Sequence, residues 1–154
     1  MIKARIIFND YIPIKGFKGI TIYPRIFVRK DVGNWTPTYT RHETTHLLQQ
    51  EEVLILAFSF VSLGALIGLF SLWWLLLVPF VFYMGYGLEW LIRLPFNGFD
   101  KELAYKNIST EQEAYLYQEE YGYNNGRKPF YWIHFLFKKS FKRDELTGKI
   151  VKIQ

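Results

Sequence analysis

The chain has 154 residues, room for one small domain and little more, and half of them are hydrophobic. It has no cysteine, which excludes disulfides and thiolate chemistry and fits a reducing compartment. Its formal net charge of +5 favours anionic lipid surfaces, and no nucleic-acid motif accompanies that charge.

Residues 1–35 read as short strands. Ile2 to Phe8 mixes β-branched and apolar residues with Lys3 and Arg5, and Ile20 to Val28 forms a second run between turn signals at Gly16, Gly19 and Gly33. Pro24 removes a backbone donor, so the second run is an edge strand or is broken there. Such an edge, beside the helix that follows, offers an extended peptide a place to pair, although a small sheet that simply covers the helix explains the same residues.

Residues 36–52 are expected to form a helix, with Thr36, Thr38 and Thr40 around Pro37 as capping candidates. It carries His42-Glu43-Thr44-Thr45-His46. Imidazoles four residues apart lie about 6 Å along a helix and about 40° around it, so both can grip one Zn²⁺. In this H-E-x-x-H pattern the intervening Glu43 is placed as general base for a water activated by the metal. Gln49, seven residues after His42, falls near the same face and is a candidate support for the ligands.

From Val53 to Leu88 there is no charged side chain, and the apolar character continues to Ile92. A single helix over residues 53–92 would be about 60 Å long, roughly twice the hydrocarbon thickness of a bilayer. Two passes are therefore expected, Val53 to Phe70 and Leu72 to Ile92, with Pro79 as a kink inside the second. Trp73 and Trp74 then mark the far interface, and Tyr86 and Trp90 the near one. Residues 1–52 hold eight Lys/Arg against five acids and residues 89–154 eleven against nine, while the turn between the passes holds none. The positive-inside rule places both termini in the cytoplasm, with the hairpin in the inner membrane. Met1 to Asp10 lacks the features of a signal peptide, which leaves the hairpin as the membrane-targeting element. Val53 follows His46 by seven positions, so the metal is expected about 10 Å from the hydrocarbon edge.

Residues 93–128 interrupt the pattern at Asn97, Gly98 and Asp100 and then start another helix near Ser109. Thr110 with Glu113 reads as a capping box and puts Glu111 in the first turn. Gly122 to Gly126 end this helix. Residues 129–154 open at Pro129 into an aromatic segment, Phe130 to Phe141, with Lys138, Lys139, Lys142 and Arg143 near its end, as expected of an interfacial segment at anionic headgroups. An ordinary docking helix with a basic tail is the other reading.

A catalytic zinc site needs a third protein ligand. His134 lies in Tyr131-Trp132-Ile133-His134-Phe135, a setting that suits an interfacial polar tip. Glu111 and Glu113 are better candidates, but two positions on a helix mean about 200° of rotation, so only one can face the metal.

The order H-E-x-x-H, two-pass hairpin, Glu111-Gln112-Glu113-Ala114 resembles the integral-membrane gluzincin metallopeptidases, the CAAX-prenyl-protease and heat-shock membrane-protease group. That resemblance implies Glu111 as third ligand, because in that group the third ligand begins an E-x-x-A-D motif. Tyr115 stands where those enzymes carry an Asp that orients a ligand histidine. His42-Glu43-x-x-His46-x-x-Gln49-Gln50, Glu89 to Leu94 and Ala104 to Tyr115 look more closely like a family of small Bacteroidetes membrane proteins, over most of residues 20–135. This second resemblance implies shared architecture and metal binding.

The expected molecule is therefore α+β and mostly α, with a two-helix transmembrane hairpin and a small cytoplasmic zincin-like unit. The expected function is zinc-dependent cleavage of membrane-associated polypeptides, with His42, His46 and Glu111 as ligands and Glu43 as catalytic base. Its partners are the lipid bilayer and a membrane-associated polypeptide substrate or membrane protein. The competing expectations are a catalytically silent zincin-like membrane adaptor and a hydrolase acting on lipid or envelope material.

Overall fold

The computed structural model describes residues 4–153, so Ile2 and Lys3 of the first expected strand lie outside the described residues. The fold is mixed α/β and mostly helical. Strands β1 (Arg5–Asn9), β2 (Gly19–Ile22) and β3 (Arg25–Arg29) form a sheet in the order β1-β3-β2. β1 runs parallel to β3, with Ile6 opposite Ile26, and β2 runs antiparallel, with Thr21 opposite Ile26. The Ile20 to Val28 run is thus divided at Tyr23-Pro24 into two strands of a hairpin. Pro24 cannot donate to a ladder, and the chain turns there. Alternation along β3 sends Ile26 and Val28 onto Leu47, with Ile6 and Trp35 packed around them, and this apolar cluster fixes the sheet against the next helix.

Helix α1 (Pro37–Leu66) starts where Thr36 accepts a bond from the Tyr39 amide and Pro37 takes the first helical position. It is thirty residues long, about 45 Å. Its first half is polar and carries the histidines; its second half is apolar. The reversal after it depends on Gly64, whose carbonyl accepts from the Leu69 and Phe70 amides and whose missing side chain makes room for the Phe70 ring.

Leu72–Phe80 is wound as a 3-10 helix and α2 (Val81–Phe96) continues from it. Pro79 was expected as a kink within an α-helix; the whole segment before it takes the tighter winding instead. Pro79 has no amide proton, and its ring crowds the carbonyl four residues back. The two helical stretches, Pro37–Leu66 and Leu72–Phe96, are each long and apolar enough to cross a membrane. Their apolar side chains point outward: Leu66, Trp73 and Phe96 are among the most exposed large residues of the chain. Nothing in this chain covers that surface among the described residues.

Helix α3 (Lys101–Lys106), which the sequence pattern does not signal, is capped by Asp100, whose carboxylate accepts from the Glu102 and Leu103 amides. Helix α4 (Ser109–Tyr117) follows. The expected capping box is not formed, since the buried Thr110 hydroxyl has no hydrogen-bond partner. Glu89 of α2 caps the helix instead, its carboxylate accepting from the Ser109 amide at 2.8 Å and from the Ser109 hydroxyl at 2.6 Å. This bond ties α4 to the second apolar helix.

A single turn, α5 (Tyr123–Gly126), and a 3-10 turn, Tyr131–Phe135, come next. The expected aromatic segment Phe130 to Phe141 is helical over only those five residues. Phe141 instead opens β4 (Phe141–Arg143), which pairs antiparallel with β5 (Ile150–Lys152). The fully buried Asn107 holds this hairpin in place: its side-chain oxygen accepts from the Ser140 and Phe141 amides, and its nitrogen donates to the Phe141 carbonyl.

Candidate metal centre

α1 presents His42 and His46 on one face, and α4, returning after the hairpin, brings Glu111 against them. All three residues are buried. The two Nε2 atoms are 3.1 Å apart; His46 Nε2 lies 3.1 Å from Glu111 Oε1, and His42 Nε2 lies 3.4 Å from Glu111 Oε2. Ligands held at 2.0–2.1 Å around a tetrahedral zinc stand about 3.3 Å from one another. The triad can therefore hold a metal ion with little movement. Glu111 Oε2 has no hydrogen-bond partner although it is buried, the condition a cation relieves. Burial pushes the Glu111 carboxyl up, but the His46 and His42 rings beside it hold it well below the usual carboxylate range.

Each ligand is oriented differently. His46 Nδ1 lies 2.8 Å from Gln49 Oε1. The Gln49 amide nitrogen donates to the Thr110 carbonyl and to Glu113 Oε2, so its oxygen is an acceptor and the proton of His46 sits on Nδ1. Burial pushes the His46 ring down, but the Glu111 carboxylate beside Nε2 raises it to about 9, so a cation that binds here displaces the Nε2 proton and takes up its lone pair. Glu111 Oε1 accepts from the Tyr86 hydroxyl at 2.8 Å. Outside the cluster, ring packing holds His42: its Nδ1 has no partner, and the Tyr115 ring meets it edge-on with centroids 4.6 Å apart. Tyr115 therefore packs on His42 without making a hydrogen bond to its Nδ1.

Glu113 points elsewhere. Its oxygens accept from Arg127, from the Tyr123 hydroxyl at 2.7 Å and from Gln49 at 2.9 Å. Arg127 also pairs with Glu52 of α1, so a buried guanidinium clamps α4 to α1 nearly two turns beyond His46. Burial opposes the Arg127 charge, but its bonds to both carboxylates raise its pKa, and it stays ionised. His134 is exposed, with Nδ1 at 3.0 Å from the Tyr131 carbonyl, and is not part of the cluster.

Glu43 projects from the same helix toward β2, where the Thr21 hydroxyl donates to its Oε2 at 2.7 Å. Glu43, the triad and Gly19, Ile20 and Thr21 of β2 line one cavity of about 920 Å³ with aromatic walls that include Tyr83, Tyr86 and Tyr105. Gln50 fastens the strand to the helix, donating to the Thr21 carbonyl at 2.8 Å and accepting from the Tyr23 amide at 2.9 Å. Burial and the Glu111 charge both push the Tyr105 and Tyr115 hydroxyls up, so these residues face the cavity as neutral donors.

Tyr86, Tyr83, Thr21 and Arg127 carry no signal in the sequence that marks them for this site. Tyr86 was expected to anchor at the interface and instead turns inward onto Glu111. No periodicity distinguishes a tyrosine at a lipid boundary from one on the inner face of the same helix turn. Comparison with protein-family models, with curated proteins and with solved structures found no match to this chain.

Proposed function

We propose that the chain is a zinc-dependent membrane metallopeptidase whose zincin-like unit cleaves membrane-associated polypeptides beside the cytoplasmic face of the inner membrane. The observation that carries this reading is the placement of Glu43 in the cavity that the His42-His46-Glu111 cluster also lines. Zinc held there supplies a Lewis acid that polarises a scissile carbonyl and activates water. The remaining work falls to side chains. Glu43 accepts the proton of the attacking water and delivers it to the departing amine, while the Thr21 hydroxyl fixes one of its oxygens. Tyr105 and Tyr115 are the neutral donors available to a developing oxyanion.

An extended peptide can lie along β2, the edge strand next to Glu43. The Thr21 carbonyl already accepts from Gln50 and from the Tyr83 hydroxyl, which leaves Gly19 to pair with it. The two membrane-length helices and the basic flanks support this substrate class, because a hairpin inserted with both termini on the basic side would bring the cavity near the headgroups.

One observation favours a second reading, a metal-holding adaptor without catalysis: His42 Nδ1 has no carboxylate or carbonyl to raise the basicity of its ring. Incubating wild type and Glu43→Gln with a peptide panel, with zinc measured in both, separates the two. Cleavage by wild type alone at equal zinc content supports the peptidase; no cleavage by either, at full zinc content, supports the adaptor.

A further inference from the structure

On the opposite side of Phe82 and Tyr86 from the metal cavity lies a second groove, of about 860 Å³, where α1 and α2 meet the 3-10 turn at Tyr131–Phe135. Its walls are apolar and open outward: Leu56 and Ile92 stand on the two membrane-length helices, and Ile133 and Phe137 face them from the connecting segment. Phe137 is fully exposed. Two features show that the groove is more than a bare apolar face. The first is Thr110, which lines it: only 6% of this residue is exposed, yet its hydroxyl has no hydrogen-bond partner. A buried donor without an acceptor is unfavourable, and a ligand oxygen would relieve it.

The second feature is charge. Glu89 and Arg93 also line the groove, but Glu89 is held by Ser109 and Arg93, and Arg93 is spent on Glu89 and on the carbonyls of Phe135, Leu136 and Lys138. Lys138 and Lys139 are the remaining charged side chains of the lining; both are exposed, and neither has a carboxylate partner among the described residues. The groove therefore combines an apolar trough between membrane-length helices, one buried hydroxyl and a cationic mouth.

We propose that this groove is a binding site for one anionic phospholipid: its acyl region lies between α1, α2 and the Tyr131–Phe135 turn, a carbonyl oxygen accepts from the Thr110 hydroxyl, and its phosphate meets Lys138 and Lys139. The position fits, because Val53 and Ile92, the two ends of the apolar hairpin, both belong to the lining. Polybasic residues at that depth attract anionic headgroups. The site rests on the membrane reading of the hairpin and is independent of the metal.

The test is native mass spectrometry of the full chain in detergent, titrated with phosphatidylglycerol or phosphatidylcholine. One phosphatidylglycerol should be retained per chain, about thirtyfold more tightly than phosphatidylcholine, as two headgroup lysines imply. Gly85 also lines the groove, and a Cβ there meets nothing within 4 Å, so Gly85→Leu sets an apolar side chain at the trough from a position with open space for its first carbon. This variant should fold, judged by circular dichroism, and bind phosphatidylglycerol about tenfold more weakly. Lys138→Glu with Lys139→Glu should erase the preference between the two lipids and leave the Gly85 effect intact. Inorganic phosphate should not displace the lipid. Equal retention of both lipids by wild type, undiminished binding in Gly85→Leu and in the lysine variant, or a dimer occupying this face in place of lipid would overturn the site. A chain that stays monodisperse without detergent would overturn the membrane reading itself, a result distinct from a detergent-dependent chain that retains no lipid.

Discussion

The Tyr86 hydroxyl lies 2.8 Å from Glu111 Oε1, so the apolar hairpin orients the carboxylate that completes the metal cluster. Removing that donor loosens the rotamer of Glu111 and leaves His46 as the one remaining neighbour of its Oε1 among the described residues. Tyr86→Phe should lower zinc affinity about 10–100-fold with helix content unchanged, measured by competition against a chromogenic chelator. Wild-type affinity in this variant would show that the bond does not orient the ligand.

Glu43 and Thr21 form a separable pair. Glu43→Gln should keep stoichiometric zinc and lower peptide cleavage about 10²–10⁴-fold, the usual share of a general base. Thr21→Val removes only the hydroxyl that donates to Glu43 and should have a smaller effect, read as kcat in the same assay. Equal losses in the two variants would mean that Thr21 does more than position the carboxylate.

Arg127 is buried between Glu52 and Glu113. Arg127→Met leaves two carboxylates facing each other without a cation and should destabilise the fold by about 3–5 kcal/mol, followed by thermal unfolding in detergent. Changing Glu113 to Gln in that background should recover part of the loss, because one buried charge disappears. No destabilisation by Arg127→Met would rule out the clamp between α1 and α4.

Gly64 faces the Phe70 ring so closely that a side chain there overlaps it. Gly64→Leu should open the turn between the two apolar helices and lower the yield of folded protein, and Phe70→Ala in the same chain should restore it. Failure of this rescue would locate the fault outside the turn.

The histidine spacing and the length of the apolar run were legible because each follows from helix geometry alone. Four residues bring His42 and His46 to one face, and Val53 to Ile92 is too long for one pass. The choice between Glu111 and Glu113 was not legible in the same way. It depends on the phase of α4, which is set by Glu89 capping Ser109 across the chain and by Arg127 drawing Glu113 away. The capping-box pattern at Thr110 pointed to a helix start, and a tertiary cap displaced it. The break at Tyr23-Pro24 was one of the two outcomes that the missing proline donor allowed, and it brings Thr21 onto Glu43. The phase of α4 and its cap share another cause: the deciding contacts are tertiary, beyond the reach of local periodicity.

X-ray absorption at the zinc edge of the purified chain, prepared without chelators, tests the central claim most directly. The expected result is one zinc per chain with a first shell of nitrogen and oxygen at about 2.0–2.1 Å that includes two imidazoles, lost in His46→Ala and retained in Glu43→Gln. A chain that binds no stoichiometric metal, or one whose metal persists when both His42 and His46 are changed to Ala, would contradict it.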